Sequence, residues 1–179
     1  MSRSVARNGR AEPRTIDYSD VSFDILGDLL SYYARSMSIA LNRDHDQATA
    51  EVELAHGYGK VSVLLMTHAN PGIRPSVIAH FAQKDRSAMA KLIEQMKGQG
   101  LVEHKVDADE RRAHELYLTP KGEELVVQVR KIATEQSDRF FGVLDAADRR
   151  HLLRILKQLY EHHVSALPRT VAGEADRAA

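Results

Sequence analysis

Apolar side chains recur every three or four residues over several long stretches of the chain, which is the spacing of a helix with one buried face. The first stretch covers residues 23–41, with apolar positions at Phe23, Leu26, Leu30, Tyr33, Met37 and Leu41. The same stretch carries a second apolar strip, at Ile25, Leu29 and Tyr32. A helix that is apolar on two sides needs two partners. We therefore expect one side to pack within its own domain and the other against a second subunit.

Two more helices are predicted towards the end of the chain. The first covers residues 120–141 and follows Thr119, whose hydroxyl can cap the N–H groups of the first turn. Asp145 starts the second and precedes a run of leucines at helical spacing. Arg149 and Arg150 lie early in this helix, where a positive charge opposes the helix dipole. We therefore expect both arginines to be solvated.

Between these flanking helices the apolar stretches are shorter. One short helix ends before Asn70-Pro71-Gly72, which is a strong turn signal. Pro75 opens a second short helix, and Asp85 can cap a third. The linker between the second and third helices is limited to residues 82–84. Helices joined so tightly pack at a steep angle, which predicts a helix-turn-helix.

The only β pattern in the sequence follows Gly100, which is expected to end the third helix in the left-handed conformation. Apolar and polar residues alternate over 102–106 and again over 116–118. The run 107–112 between them has no apolar residue larger than alanine. We predict a hairpin with an exposed, charged tip. A hairpin after a helix-turn-helix makes a winged helix, so the predicted fold is mainly α with a small β-hairpin.

The run from Ile73 to Gly122 resembles the MarR (multiple antibiotic resistance regulator) family of bacterial transcription factors. The matching pieces follow one another in the family's order: Ile78-Ala79, Asp85-Arg86-Ser87, Lys91-Leu92-Ile93, Gly100-Leu101-Val102, Glu110-Arg111-Arg112-Ala113 and Leu118-Thr119-Pro120-Lys121-Gly122. Two pieces depart from the pattern. Glu110 stands where the family commonly has Asp, and Ala88-Met89-Ala90-Lys91 stands where it usually has Thr-Val-Thr-Arg. The second departure predicts weaker direct reading of bases, or a different operator.

The resemblance implies a homodimer that binds an inverted-repeat DNA operator, usually as a repressor, and that a small aromatic or phenolic effector releases. It also implies a winged helix-turn-helix domain flanked by long dimerisation helices. The expected organisation is a flexible tail at 1–21, a dimerisation helix at 22–45, the winged helix at 58–119, dimerisation helices at 120–164 and a flexible tail at 165–179. No cofactor is expected.

The resemblance nominates eight residues for DNA contact: Arg74, Ser76, Lys84, Arg86, Ser87, Lys91, Arg111 and Arg112. Arg86, Ser87 and Lys91 lie on the helix whose N-terminal turn can enter the major groove. Arg74 and Ser76 begin the preceding helix and would hold the DNA backbone. Arg111, at the wing tip, suits a narrow minor groove because its negative potential attracts a guanidinium. Arg112 is expected to order the wing by pairing with Glu110.

Four residues are candidates for an effector pocket between the dimer helices and the winged helix: Tyr33, Met37, His68 and Arg74. In this interpretation, His68 or Arg74 meets a carboxylate of the effector. The alternative is that Tyr33 and Met37 are ordinary core or dimer-interface residues.

Composition changes this picture in two ways. The 179 residues carry 25 Lys and Arg against 25 Asp and Glu, so the formal net charge is zero, which excludes a polybasic tail protein. Residues 71–122 hold nine basic and seven acidic residues, a net of +2, which predicts only moderate non-specific DNA binding. This weak positive charge and the acidic wing tip leave a second hypothesis open, in which the winged helix binds a partner protein instead of DNA.

Several other classes of function are disfavoured. The chain has no cysteine, which excludes disulfides, cysteine-ligated zinc and a thiol switch and fits a cytoplasmic protein. No apolar stretch is long enough to span a membrane. His162 and His163 are adjacent and so point apart on a helix, which makes them a poor metal-binding pair. No nucleophile or phosphate-loop motif occurs, so we expect neither an enzyme nor a metal site.

Overall fold

The structure, a computed structural model, describes residues 21–50, 58–106 and 114–165. Its helices and strands are α1 (Leu30–Ala48), α2 (Tyr58–Ala69), α3 (Pro75–Phe81), α4 (Arg86–Gly98), β1 (Val102–Val106), β2 (His114–Leu118), α5 (Pro120–Phe140) and α6 (Ala146–Tyr160). The chain divides into two compact units, Met1–Ser38 and Ile39–Ala179. Among the described residues, no helix combines the length and the apolar composition needed to cross a lipid bilayer.

The first helical region departs from the prediction of one continuous helix over residues 23–41. A short 3-10 turn, Asp24–Asp28, comes first, and α1 begins only at Leu30. The break has a backbone cause, because Asp24 has a positive φ of 49° and Leu29 is extended at φ −93° and ψ 110°. Regular hydrogen bonding therefore restarts at Leu30, and the helix runs beyond the predicted end, to Ala48.

The core of the second unit lies where α2, α4, α5 and the hairpin meet. Its largest fully buried apolar side chains are Leu64, Ile78, Met89, Ile93, Met96, Leu101, Leu116, Val63, Val126 and Val129. The two strands are antiparallel, with Val102 opposite Leu118 and His104 opposite Leu116. Ile73 forms a further bridge to Leu116, so the turn before α3 is tied to the base of the hairpin. A helix-turn-helix and a paired hairpin confirm the predicted mainly α fold with a winged helix.

Three helices begin where the sequence predicts, and two of them have the predicted caps. The carboxylate of Asp85 accepts a hydrogen bond from the N–H of Ala88, and the Thr119 hydroxyl accepts one from the N–H of Gly122. Asp145 accepts two, from the second and third residues of α6. Gly100 follows α4 with a φ of 69°, which confirms the left-handed conformation predicted for it. Each of these signals is local, which is why the sequence predicts it.

The prediction that Arg149 is solvated is wrong. Its guanidinium donates to the backbone carbonyls of Asp138 and Phe141, at 2.6 and 3.0 Å, and to the carboxylate of Asp138 at 3.0 Å. These carbonyls belong to the end of α5, where the helix dipole favours a positive charge. Arg149 therefore opposes the dipole of its own helix but satisfies that of the helix before it. Arg150 is exposed, as predicted.

Candidate DNA-binding surface and effector region

Helix α4 has one buried face and one face open to solvent. Met89, Ile93 and Met96 are at most 2% exposed and pack into the core. Ser87 and Lys91 are four residues apart, so they share the opposite, exposed face. Arg86 is also exposed, but about 100° round the helix from Ser87, at the flank of this face. The predicted contact residues thus form a central pair and a flanking arginine.

Asp85 holds the first turn of α4 in place. Its Oδ1 accepts 2.7 Å hydrogen bonds from the N–H of Ala88 and from the hydroxyl of Ser87. The Ala88 N–H first, and then the Ser87 hydroxyl, lower the pKa of the Asp85 carboxyl, which stays ionised at neutral pH. Since the Ser87 proton is already donated, its oxygen is left to accept. It is therefore suited to the amino groups of adenine or cytosine.

The start of α3 presents Arg74 and Ser76. Arg74 occupies the position before the helix in an extended conformation, with φ −73° and ψ 138°, and is exposed. Ser76 is partly exposed in the first turn. Lys84 behaves differently, because its aliphatic chain crosses Gly59 so closely that a Cβ at position 59 would lie 2.7 Å from the Lys84 Cε. Its side chain therefore packs against α2, and a DNA contact by Lys84 stays a prediction.

The base of the wing is fixed by a tight contact. The Tyr117 hydroxyl donates a 2.6 Å hydrogen bond to Glu115 and lies over Gly72, where a Cβ would be 3.0 Å from it. Gly72 has a φ of 86°. Glycine is therefore favoured there both by the backbone conformation and by the closeness of the Tyr117 hydroxyl. Arg111 and Arg112, the predicted wing-tip contacts, lie outside the described residues.

The candidate effector residues fall into both units. In the first unit, Tyr33 and Met37 are 49% and 44% exposed, and Tyr33 meets Tyr32 edge-on at 5.4 Å between ring centroids. In the second unit, the Nδ1 of His68 lies 2.6 Å from a carboxylate oxygen of Glu123. Either His68 or Arg74 was predicted to meet a carboxylate of the effector, and in this structure His68 already lies beside a carboxylate of the chain itself.

The structure also contains a buried polar cluster that the sequence interpretation missed. The ring of His45 is 2% exposed and stacks on Tyr58 with centroids 4.0 Å apart. Tyr58 donates to Gln136, whose amide donates to Asp44 at 2.7 Å. Arg139 completes the cluster with 3.0 and 3.1 Å hydrogen bonds to the same carboxylate. One signal was available, because Gln136 is a polar residue on the otherwise apolar face of the helix predicted over 120–141.

The cluster is electrostatically self-consistent. The Gln136 amide, and then Arg139, lower the pKa of Asp44 against the effect of burial. Burial lowers the pKa of His45 and raises that of Tyr58, so both rings are held neutral at neutral pH. The cluster joins the end of α1 to the start of α2 and the second half of α5. Within the described residues, no group of three or more His, Asp or Glu is arranged to hold a metal ion.

Comparison with known proteins agrees with this geometry. No family model matches the chain. It is 27% identical over 156 residues, 86% of this chain and 92% of the relative, to a protein named as the transcriptional regulatory protein for the hcr operon of Thauera aromatica. The transcriptional repressor CouR, solved on a 23-mer DNA duplex, is 28% identical and superposes with a TM-score of 0.71, covering 78% of this chain and 98% of that one. A MarR-family regulator from Silicibacter pomeroyi shares the fold at 20% identity, with a TM-score of 0.65 over 78% of this chain and 94% of its own. In sequence and in fold, this chain resembles MarR-family regulators.

The resemblance read from Ile73 to Gly122 is therefore confirmed. Its relatives are named as transcriptional regulators or repressors. CouR has also been solved with p-coumaroyl-CoA, and that structure is 27% identical to this chain, with a TM-score of 0.68 over 78% of this chain and 97% of that one. In this chain the family's winged helix is formed by α3, α4, β1 and β2.

Proposed function

We propose that this protein is a homodimeric transcriptional repressor that binds an inverted-repeat operator and is released from it by a small-molecule effector. The observation that carries the proposal is the exposed polar face of α4 on a rigid winged helix. Its inner side chains are buried, so the helix is held as a fixed body whose first turn can enter the major groove. The DNA-bound repressor CouR supports the same mode of binding.

Within this proposal the side chains divide by role. Ser87 and Lys91 lie at the centre of the exposed face and face base edges, whereas Arg86 lies at its flank and suits a phosphate. Arg74 and Ser76, at the start of α3, hold the backbone. Arg111 enters the minor groove from the wing, and Arg112 orders the wing tip through Glu110. In the described part of the chain, Arg86 and Lys91 form no ion pair that DNA would have to break.

The effector is proposed to be an aromatic acid or phenol, or the coenzyme A thioester of such an acid. The thioester is supported by p-coumaroyl-CoA, the ligand named for CouR. Tyr33, Met37, His68 and Arg74 are the proposed contacts. A carboxylate or phenolate that reached His68 would compete with Glu123, which now lies 2.6 Å from it. Binding there would disturb the link between α2 and the first turn of α5, next to the wing.

A homodimer fits both the operator and the surface of the protein. An inverted repeat presents the same half-site twice, and a twofold dimer reads both halves at once. Exposed apolar side chains on α6, namely Leu156 and Leu159, supply a surface that a second copy can cover. The proposal involves no catalysis, and it places the protein in the cytoplasm, where bacterial DNA lies.

Selection of bound fragments from the protein's own genomic DNA, at about 150 mM salt, tests the proposal. The expected result is an enriched inverted repeat whose half-sites lie about one helical turn apart. Arg111→Ala should weaken binding to that repeat by about 1–3 kcal/mol, measured by fluorescence anisotropy. Arg130→Ala, which removes an exposed arginine from α5, serves as the charge-matched control.

The same measurements distinguish the rival function. If no DNA is enriched and a partner protein is captured, the winged helix binds protein and the proposal fails. If an operator is found but Arg111→Ala binds it as tightly as the unaltered protein, the wing assignment fails while the repressor function stands.

A further inference from the structure

Helix α6 carries a line of three exposed positive charges. Arg150, Arg154 and Lys157 are four and three residues apart, so they share one face of the helix. All three are exposed, and none forms a hydrogen bond or ion pair within the described residues. We refer to these three residues as the cationic stripe. It is about 10 Å long, from the rise of a helix over seven residues.

The cationic stripe borders a shallow, open groove. The groove is lined by the stripe and by Leu153, Gln158 and Glu161. Leu153 is 53% exposed, so the groove offers an apolar contact beside its charges. Glu161 marks the end of the positive region, and this residue already has an interaction within the protein. Three like charges within about two helical turns repel one another, and a bound anion would relieve that repulsion.

We propose that this groove binds the phosphate groups of a coenzyme A thioester, the anionic end of the effector. This rests on the proposed function, which includes such a thioester as effector. Coenzyme A carries a phosphomonoester and a pyrophosphate on one extended molecule, and so presents several negative charges along a line. The stripe presents its positive charges in the same way, and arginine forks bind phosphate oxygens in pairs.

The neighbouring groups suit the uncharged parts of the same ligand. Leu153 and the aliphatic chains of the stripe can contact the adenine ring or the pantetheine arm, and a guanidinium can stack on adenine. The Gln158 amide supplies both a donor and an acceptor. A free aromatic acid has none of these groups. The cationic stripe would therefore let the protein distinguish the thioester from the free acid. The aromatic end of the effector is recognised elsewhere.

The test uses the full-length protein with the double variant Arg150→Gln/Arg154→Gln. Calorimetric titrations with p-coumaroyl-CoA, coenzyme A and p-coumarate measure the dissociation constants without DNA. We expect the double variant to bind both coenzyme A compounds about tenfold more weakly, because charge-assisted phosphate contacts are lost, and to leave any p-coumarate affinity unchanged. Arg130→Gln/Lys131→Gln, which removes two exposed charges from α5, should leave all three affinities unchanged.

Two further measurements on the same variants decide between alternatives. If the double variant loses operator affinity without any thioester present, the stripe contacts DNA and the inference is wrong. If its sedimentation shifts from dimer to monomer, the stripe faces a second copy and the inference is equally wrong. If the unaltered protein binds neither coenzyme A compound, the inference fails. Operator binding, measured in the same samples, tests the proposed repressor function separately.

Discussion

Glycine at position 122 lets the first turn of α5 lie against the backbone of Leu101. The Thr119 hydroxyl caps that turn and also donates a 2.6 Å hydrogen bond to the carbonyl of Gly100. Lys121 donates to the carbonyl of Gln99 at 3.0 Å. The end of α4, the start of β1 and the start of α5 are thus joined by polar contacts that need a close approach of two backbones. A side chain at 122 would prevent that approach.

Gly122→Ala is therefore expected to lower the free energy of unfolding by about 3 kcal/mol, because the new Cβ would overlap the Leu101 carbonyl oxygen, which cannot rotate away. Gly98→Ala is the matched control. A Cβ there meets no atom within 4 Å, so alanine should stabilise α4 by up to about 0.8 kcal/mol. Urea unfolding of both variants measures the difference. Equal stability of the two would contradict the close approach.

His45 makes the stability of the protein depend on pH. Burial lowers its pKa, and the carboxylates of Asp46 and Asp44 only partly oppose this. The unfolded chain, whose histidine pKa is about 6.5, therefore takes up the proton first as the pH falls. The stability that the neutral ring contributes is complete above the unfolded pKa. It is lost as the pH falls from there through the lower pKa of the folded state.

His45→Phe keeps an aromatic ring against Tyr58 but cannot take up a proton. We expect its free energy of unfolding to fall less than that of the unaltered protein between about pH 7.5 and pH 5.5. His151→Phe, at an exposed position on α6, should leave the pH dependence unchanged. Urea unfolding at a series of pH values measures all three proteins. Parallel curves for His45→Phe and the unaltered protein would rule out His45 as the source.

At the scale of elements, the join between α5 and α6 depends on one arginine. Arg149 bonds the last carbonyls of α5 from the first turn of α6, although its side chain is 34% exposed. Because solvent reaches the side chain, its hydrogen bonds contribute less to stability than buried ones would. Arg149→Ala should therefore lower the free energy of unfolding by about 1 kcal/mol. Arg150→Ala, next to it and without a partner in the described chain, should change stability by less than about 0.5 kcal/mol. Equal losses would mean that total charge matters rather than these hydrogen bonds.

The elements also show what the sequence could predict. Thr119 and Asp145 act on their own helices within three residues, so pattern and composition reveal them. The Gln136–Asp44 hydrogen bond joins residues 92 apart in the sequence, and no local pattern contains it. Arg149 was misinterpreted for the same reason, because its partners belong to the preceding helix. The break at Leu29 was missed because apolar periodicity continues across a residue whose backbone is extended.

At the scale of the whole molecule, the net charge bears on binding to DNA, and the exposed apolar surface bears on binding to a second copy of the chain. The chain has no net charge, so long-range attraction to DNA would be weak, and the proposed contacts at α4 and the wing would have to supply the affinity. If a dimer neutralises about eight phosphates, the logarithm of the binding constant should fall by about 7 for each tenfold rise in salt. Under the proposed function, a dimer that binds two half-sites together would make such a modest surface sufficient, so dimerisation would decide whether the operator is occupied.

The last prediction concerns that dimer. Leu156 is 49% exposed and lines an apolar groove with Phe141, Leu144 and Leu152. Leu156→Glu would bury a carboxylate wherever a second copy covers this groove, and an unpaired buried charge is costly. We expect a monomer by sedimentation, a thermal midpoint little changed at low concentration, and operator affinity at least about a hundredfold weaker because each half-site is then bound alone.

Gln158→Glu adds the same charge to the polar side of the same helix, so it should remain a dimer and bind the operator normally. Were Leu156→Glu to remain dimeric with full affinity, the second copy would have to cover a surface other than this groove. A monomer that still bound the complete operator tightly would instead show that one winged helix is enough. Either result would change how the protein recognises an inverted repeat, because half-site spacing constrains binding only when both winged helices belong to one assembly.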